Sequence, residues 1–351
     1  MKINSEVIGE VDSRDVSKIT MTNANGLVIS TLTLGATLQA FLLPTDRGDL
    51  KNIVLGFDNY EDYNQNSLRA CQSVGRVAGR IGGASYTYKG VRYNLPKNEG
   101  ENCLHGGPKG MQVQNWDYTT HVDDDYVETR FVKKLYSHVD GFPGDLSVSI
   151  IYRLDNANRL TIRFEAFDVT ETTVFNPTNH VYLNLSDKQD LSTHTLQIHS
   201  DQYLALASDL IPTGDKITVD QSYYDFRNAT DLLPRIEANN GFDDAFVVAD
   251  EKSDQLKAIA TLQDKESGDG ITLFSNRNGL VIYTMDIIEG NISFARDKGQ
   301  QAKGREALAM EAQTLPDAVN HKGFGNIILE KGQQATYEIG FQYFNAKTLS
   351  K

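Results

Sequence analysis

Apolar residues occupy every second position from Leu146 to Leu154, at Leu146, Val148, Ile150, Tyr152 and Leu154. The alternation returns after Asp155-Asn156-Ala157-Asn158 as Leu160, Ile162, Phe164 and Ala166. Successive side chains of a strand point to opposite faces, so two such runs around a short Asn/Asp loop predict an antiparallel hairpin with one buried face. Comparable strand signals recur over 18–30 around Asn25-Gly26, over 126–136, over 271–287 around Asn278-Gly279, and over 334–344. Helical signals are short: 59–70 has some helical character, and 231–238 suits about two turns. Many strands and few helices require a core of sheet against sheet. No linker, charge block or repeat marks a boundary, so the expectation is all-β: one large antiparallel β-sandwich domain over 1–351 with a few short helices.

Composition narrows the partners. At 40% hydrophobic and 9% aromatic residues the chain can bury a sizeable core, which excludes disorder as its main state. Its 34 Lys and Arg stand against 47 Asp and Glu, a net charge of −13 that argues against a nucleic-acid or anionic-membrane partner. Cys71 and Cys103 lack the number for a disulfide scaffold and the spacing for zinc. With no apolar leader and no run of membrane-spanning length, the sequence reads as a soluble protein of a reducing, cytoplasmic compartment.

Common catalytic signatures are missing. Gly106-Gly107-Pro108-Lys109-Gly110 lacks the spacing and ending of a phosphate loop, and no HExxH, GxSxG or dinucleotide fingerprint occurs. His194 and His199 suit neither one strand face nor one helix face, and read as solvated surface histidines without a metal role. His121, His138 and His321 likewise lack a functional context, and the lone Trp116 reads as core.

Four segments concentrate polar groups instead. They are 75–81 with Arg76 and Arg80, 102–107 with His105 before Gly106-Gly107, 176–185 with His180, and 309–317 with Glu311. The two glycines would allow the backbone to approach a ligand closely. Alternation would put His180, Tyr182 and Asn184 on one polar face, with Val181, Leu183 and Leu185 on the core face. Such a face suits a ligand covered in hydroxyls.

In this order the four segments resemble the aldose 1-epimerase (galactose mutarotase) family. Further likeness lies in Thr33-Leu34-Gly35-Ala36-Thr37, Val54-Leu55-Gly56-Phe57, Leu210-Ile211-Pro212-Thr213-Gly214, Tyr224-Asp225-Phe226-Arg227 and Gly241-Phe242-Asp243, so it covers nearly the whole chain. The resemblance implies a strongly twisted antiparallel β-sandwich with a sugar cleft on one sheet. It implies interconversion of the α and β anomers of a free aldose such as galactose or glucose, with no cofactor and no metal. His180 matches the family's general acid and Glu311 its general base, while Arg80, His105 and Asp243 match sugar-binding positions. Arg76 reads as structural. Asp243 and Asp244 are adjacent, so at most one can line a cleft, and the family pattern selects Asp243.

The chain departs from the family pattern at Gly79, Asp244, Val281 and the pair Met285-Asp286. These positions bear on which sugar is preferred, and Asp286 could supply a sugar contact that Val281 does not make. Two alternatives on the same fold are an epimerase preferring reducing disaccharides such as maltose and a non-catalytic sugar-binding protein. A hexose-phosphate epimerase would need clustered Arg and Lys for the phosphate, which the acidic chain disfavours.

Overall fold

The computed structural model describes residues 1–349 apart from Asp46 and Asn66, and it is dominated by antiparallel strands. The hairpin read from alternation is formed by Leu146–Asp155 and Arg159–Phe167, in register from Ser147 opposite Phe167 to Leu154 opposite Leu160. Val148, Ile150, Tyr152, Leu160, Ile162 and Phe164 are all fully buried. Burying these alternate positions is the main drive for the pairing, at about 1.5–3 kcal/mol for a fully buried large apolar side chain. The hairpin lies within a nine-stranded antiparallel sheet that also contains Tyr126–Leu135, Ala335–Asn345, Asp269–Ser275 and Lys257–Asp264.

A six-stranded sheet carries the second layer, in the order Tyr182–Leu183, Leu308–Gln313, Gly279–Tyr283, Asp243–Val247, Gln202–Leu206, Pro212–Thr218. One face of it, with Leu280, Ile282, Leu308, Met310 and Ala312, joins the nine-stranded sheet in one continuous apolar core. A five-stranded meander from Lys2–Val11 to Leu50–Asn52 contributes Ile19, Ile29 and Phe41 to the same core. Trp116 is buried there too. The helices are short, Asp62–Gln65 and Leu232–Asn239 falling in the two predicted stretches. No helix among the described residues is long and apolar enough to cross a membrane.

Two local expectations fail for identifiable reasons. Asn25-Gly26 does turn a hairpin, with Gly26 at φ +81. Asn278-Gly279 does not. Asp269–Ser275 pairs within the nine-stranded sheet, whereas Gly279–Tyr283 pairs with Asp243–Val247 and Leu308–Gln313 in the other. Gly279 has no positive φ; a Cβ there would lie 2.8 Å from the Gln313 carbonyl oxygen, so the glycine serves close strand approach. Asn278 locks the crossing by donating to Phe324 O and accepting from Leu315 N. His194, expected on the surface, is fully buried. Its Nε2 accepts the Leu185 amide at 2.9 Å, and burial pushes the imidazole down to about 4. His199 is exposed, as expected.

Candidate active site

The free face of the six-stranded sheet forms the floor of a cleft of about 490 Å³. Register decides what that face carries. Val281 stands between Glu311 and Ala245 in neighbouring strands, and Tyr283 stands between Ala309 and Asp243. Tyr182 flanks Ala309 from the other side. Alternation thereby delivers Tyr182, Asp243, Ala245, Val281, Tyr283, Glu311 and Gln313 to the cleft. Asp244 points away; its carboxylate accepts the Tyr224 hydroxyl at 3.3 Å, and burial beside Asp243 raises it to about 6.

His180 enters just before this sheet. Its amide donates to Gln72 O and its carbonyl accepts the Cys71 amide, both at 2.9 Å, so the backbone is clamped on both sides. The ring lies against Tyr182, with centroids 4.8 Å apart, and edge-on to His105 at 5.3 Å. Nε2 stands 3.2 Å from Glu311 Oε1, and both side chains are buried. Among the described residues, His180 Nδ1 and Glu311 Oε2 have no hydrogen-bond partner. Asn184 does not share this face. Its amide group ties down a loop through Lys188 O, Asp190 O and Glu306 O, because the strand lasts only through Leu183.

Burial dominates the electrostatics. Desolvation, with the Arg69 charge adding to it, pushes the His180 imidazole down to about 4. Desolvation and the neighbouring Asp243 push Glu311 up to about 8, against a smaller opposing effect of Arg80. Since the two groups touch, they are best counted together: the pair holds one proton between about pH 4 and about pH 8.

Arg80 lies on a two-residue strand whose partner is Cys103–Leu104, opposite Leu104. It grips Glu99 through Nε and Nη2 at 2.7 and 2.9 Å, and its Nη1 reaches Asp243 at 3.2 Å. Burial lowers the guanidinium pKa, but Glu99 and Asp243 more than offset this and keep it charged. Asp243 is raised by burial, with Arg80 pulling the other way. Arg76 serves the scaffold instead. It is buried and bonds bidentately to Asp140, and also to Pro143 O, Gly144 O and Thr173 Oγ1.

His105 is fixed by residue 79 on both sides. Its amide donates to Gly79 O at 3.0 Å, and its Nδ1 accepts the Gly79 amide at 3.2 Å. An Nδ1 that accepts leaves the proton on Nε2, because burial and the charges of His180, Arg80 and Arg69 keep the ring neutral. His105 therefore offers the cleft a donor. The following glycine contributes indirectly: a Cβ on Gly106 would lie 1.9 Å from Gly75 O, so it lets two backbone segments touch instead of admitting ligand.

Among the described residues, His105, His180 and Glu311 bring one potential metal-ligand atom each within 4.8 Å of one another. The donor chemistry does not suit a cation. The Nδ1 lone pair of His105 is occupied by the Gly79 amide and its Nε2 carries hydrogen.

Sequence reasoning missed several contributors to the cleft, among them Gln313, Glu99 and Ser67. Gln313, whose buried Oε1 has no partner among the described residues, was legible, since it lies two residues beyond Glu311 on one strand. Glu99, which holds Arg80, comes from a loop with no pattern to betray it. Ser67 donates to Glu289 at 3.0 Å at the cleft. Asp286, flagged as a departure, also lines the cleft; Arg305 and Thr284 hold it, both at 2.6 Å.

The family description aldose 1-epimerase matches residues 17–342. The chain belongs to the aldose 1-epimerase family. An aldose 1-epimerase of Streptococcus thermophilus is 73% identical over 346 residues, covering 99% of this chain and 99% of that protein. A maltose epimerase of Levilactobacillus brevis is 36% identical over 349 residues, covering 98% and 99%. The crystal structure of a galactose 1-epimerase from Lactobacillus acidophilus superposes with a TM-score of 0.85 at 25% identity, covering 98% of this chain and 99% of that one. The aldose 1-epimerase assignment makes this chain a carbohydrate-acting isomerase with a sugar as substrate.

Proposed function

We propose that the cleft interconverts the α and β anomers of free hexoses such as galactose and glucose, with Glu311 as base and His180 as acid. One observation carries this reading: the 3.2 Å contact between His180 Nε2 and Glu311 Oε1 on the wall of a cleft large enough for a sugar. The hydroxyl to be deprotonated and the ring oxygen to be protonated hang on the same carbon, so acid and base must converge on one spot. Glu311 takes the C1 hydroxyl proton as the C1–ring-oxygen bond breaks, and His180 delivers its proton to the departing ring oxygen. After rotation about C1–C2 the C5 hydroxyl attacks the other face of the aldehyde. His180 recovers that hydroxyl's proton, and Glu311 returns its own to the carbonyl oxygen.

Arg80, His105 and Asp243 hold the remaining hydroxyls while C1 turns, His105 donating from Nε2. The apolar strip of Ala245 and Val281 gives the C–H face of a pyranose a surface to lie on. On this reading residues 1–351 act as one domain in the cytoplasm; two buried free thiols, Cys71 and Cys103, favour a reducing setting.

Polarimetry of freshly dissolved α-galactose, α-glucose and α-maltose tests the proposal. Maltose belongs in the set because exposed Leu210 and Ile287 at the cleft offer apolar surface to a second ring. His180→Asn and Glu311→Gln should each lose about 10²–10⁴ in rate. Normal rates in both folded variants would refute the pair, and sugar binding without anomerisation in the wild type would favour a non-catalytic binding protein.

A further inference from the structure

We infer that Gln313 is a sugar-binding residue of the cleft: its carboxamide, unbonded beside Glu311, exchanges hydrogen bonds with a pyranose hydroxyl other than the anomeric one. The inference rests on the roles proposed above for His180 and Glu311.

Strand alternation brings Gln313 to the cleft together with Glu311, two residues earlier on Leu308–Gln313. Residues so spaced on one face of a strand stand about 7 Å apart, which a single hexose spans. Across the ladder Gln313 pairs with Gly279, which has no side chain to share the face. Gly79 and Pro316, both lining the cleft, bound the amide on another side. A Cβ built on Gly79 would stand 3.5 Å from Gln313 Oε1 and 3.4 Å from Pro316 Cβ. Any side chain at residue 79 would start against this amide, and the glycine leaves that approach open to a ligand. Gly79 also holds His105 through its amide and carbonyl, and Arg80 follows it. Gln313 thus adjoins both the base and the segment that carries two of the sugar anchors.

The carboxamide is in place but unused. Gln313 is 1% exposed, and among the described residues neither Oε1 nor Nε2 makes a hydrogen bond. Gln39, Gln72, Gln112, Asn115 and Asn179 also have a buried amide oxygen without a partner there, but each has its nitrogen tied to a carbonyl or hydroxyl. Those amides serve the scaffold, and none lines the cleft. Among the described side chains of the cleft, only His180, Glu311 and Gln313 keep a buried polar atom without a partner. Two of these are the proposed acid and base, whose partner is the sugar. A buried amide left unpaired is costly, and a ligand hydroxyl removes that cost.

The chemistry selects a hydroxyl. A carboxamide offers an acceptor and a donor side by side, and a sugar hydroxyl offers the same pair in return. An anionic substituent could use only the donor, and would meet the carboxyl of Glu311 as well. Glu311 takes the anomeric hydroxyl and His180 the ring oxygen, so Gln313 reads a hydroxyl on another carbon. Ring opening leaves that hydroxyl chemically unchanged. The bond is therefore kept in substrate and transition state alike, and its loss should fall on KM and spare kcat.

Polarimetric kinetics on α-glucose and α-galactose test this with Gln313→Met, which keeps the length of the side chain and removes both polar atoms. KM should rise about tenfold while kcat stays within about twofold, and both limbs of the pH profile should keep their places. The melting temperature should hold or rise, because an unpaired buried amide is gone. Singly deoxygenated glucoses then locate the contact. The sugar lacking the hydroxyl that Gln313 binds should show equal KM in wild type and variant, and the others should keep the tenfold difference. An unchanged KM in folded Gln313→Met would overturn the inference, with a lowered melting point marking a structural amide instead. A rise in KM common to every deoxy sugar would overturn it too, since no single hydroxyl would then be read. Gln313→Leu repeats the measurements if the methionine variant does not fold. A wild type that anomerises no sugar would defeat the epimerase reading itself, whereas an active wild type with KM unmoved in the variant defeats this inference alone.

Discussion

His180 and Glu311 are separated in sequence by strands of both sheets, yet their side chains meet at 3.2 Å in surroundings that favour neither charge. Burial lowers one to about 4 and raises the other to about 8, so the proton count of the pair is one across the interval between. Below it the pair gains a second proton, and a protonated Glu311 can no longer take the C1 hydroxyl proton. Above it the pair has no proton to give to the ring oxygen. The kcat/KM profile should accordingly be a bell with limbs near those two values, measured from about pH 3.5 to 9.5 after subtracting the spontaneous reaction. A profile flat over that range would be incompatible with the pair as acid and base. At this scale the sequence was only partly legible. Strand alternation allowed at most one of adjacent Asp243 and Asp244 in a cleft, and the family likeness selected Asp243; in the structure Asp243 lines the cleft and Asp244 turns to the Tyr224 hydroxyl. Glu99 could not be found, because a loop residue that reaches a partner 19 positions away follows no periodicity.

Single strands and turns show what alternation can and cannot convey. It identifies faces, since burial repeats with the pleat, but not which sheet a strand joins. The runs on either side of Asn278-Gly279 look like the arms of a hairpin and belong to different layers, because the glycine's role is contact with the Gln313 backbone and not reversal of the chain. Gly106-Gly107 misleads in the same way, as a dipeptide suited to ligand approach that instead seats the His105 loop on Gly75. Gly106→Ala would set a methyl group 1.9 Å from Gly75 O at φ +80. Its expected cost is about 2 kcal/mol or more of stability, with KM rising more than kcat falls as His105 shifts. Thermal melting and steady-state kinetics check this, and an unchanged melting point would show that the loop has room to yield.

For the molecule as a whole, strand content and a shared core between sheets were predictable from composition and period. The order of strands within each sheet was not, because it depends on pairings between segments distant in sequence. The assembled fold buries an acid whose ordinary pKa is 4.5 and lifts it to about 8. A group raised in this way contributes fully below its unfolded value, and that contribution is lost as pH climbs through the folded one. Glu311→Gln, which cannot ionise, should therefore gain in melting temperature over the wild type as pH rises from about 4.5 to about 8, and hold a constant lead beyond. A difference that does not change with pH would mean that burial of this carboxyl is not what opposes its ionisation. His194, depressed to about 4, acts in the other direction: its contribution is intact above its ordinary value near 6.5 and fades as pH falls toward 4.

The single proton held by the pair has a kinetic corollary. Under the proposed roles, opening moves that proton to the ring oxygen while the hydroxyl proton crosses to the carboxylate, and closure sends both back, so a completed cycle leaves the site ready without trading hydrogen ions with bulk water. Turnover should then be indifferent to buffer concentration at fixed pH and ionic strength, unlike the uncatalysed reaction, which general acids and bases in solution accelerate.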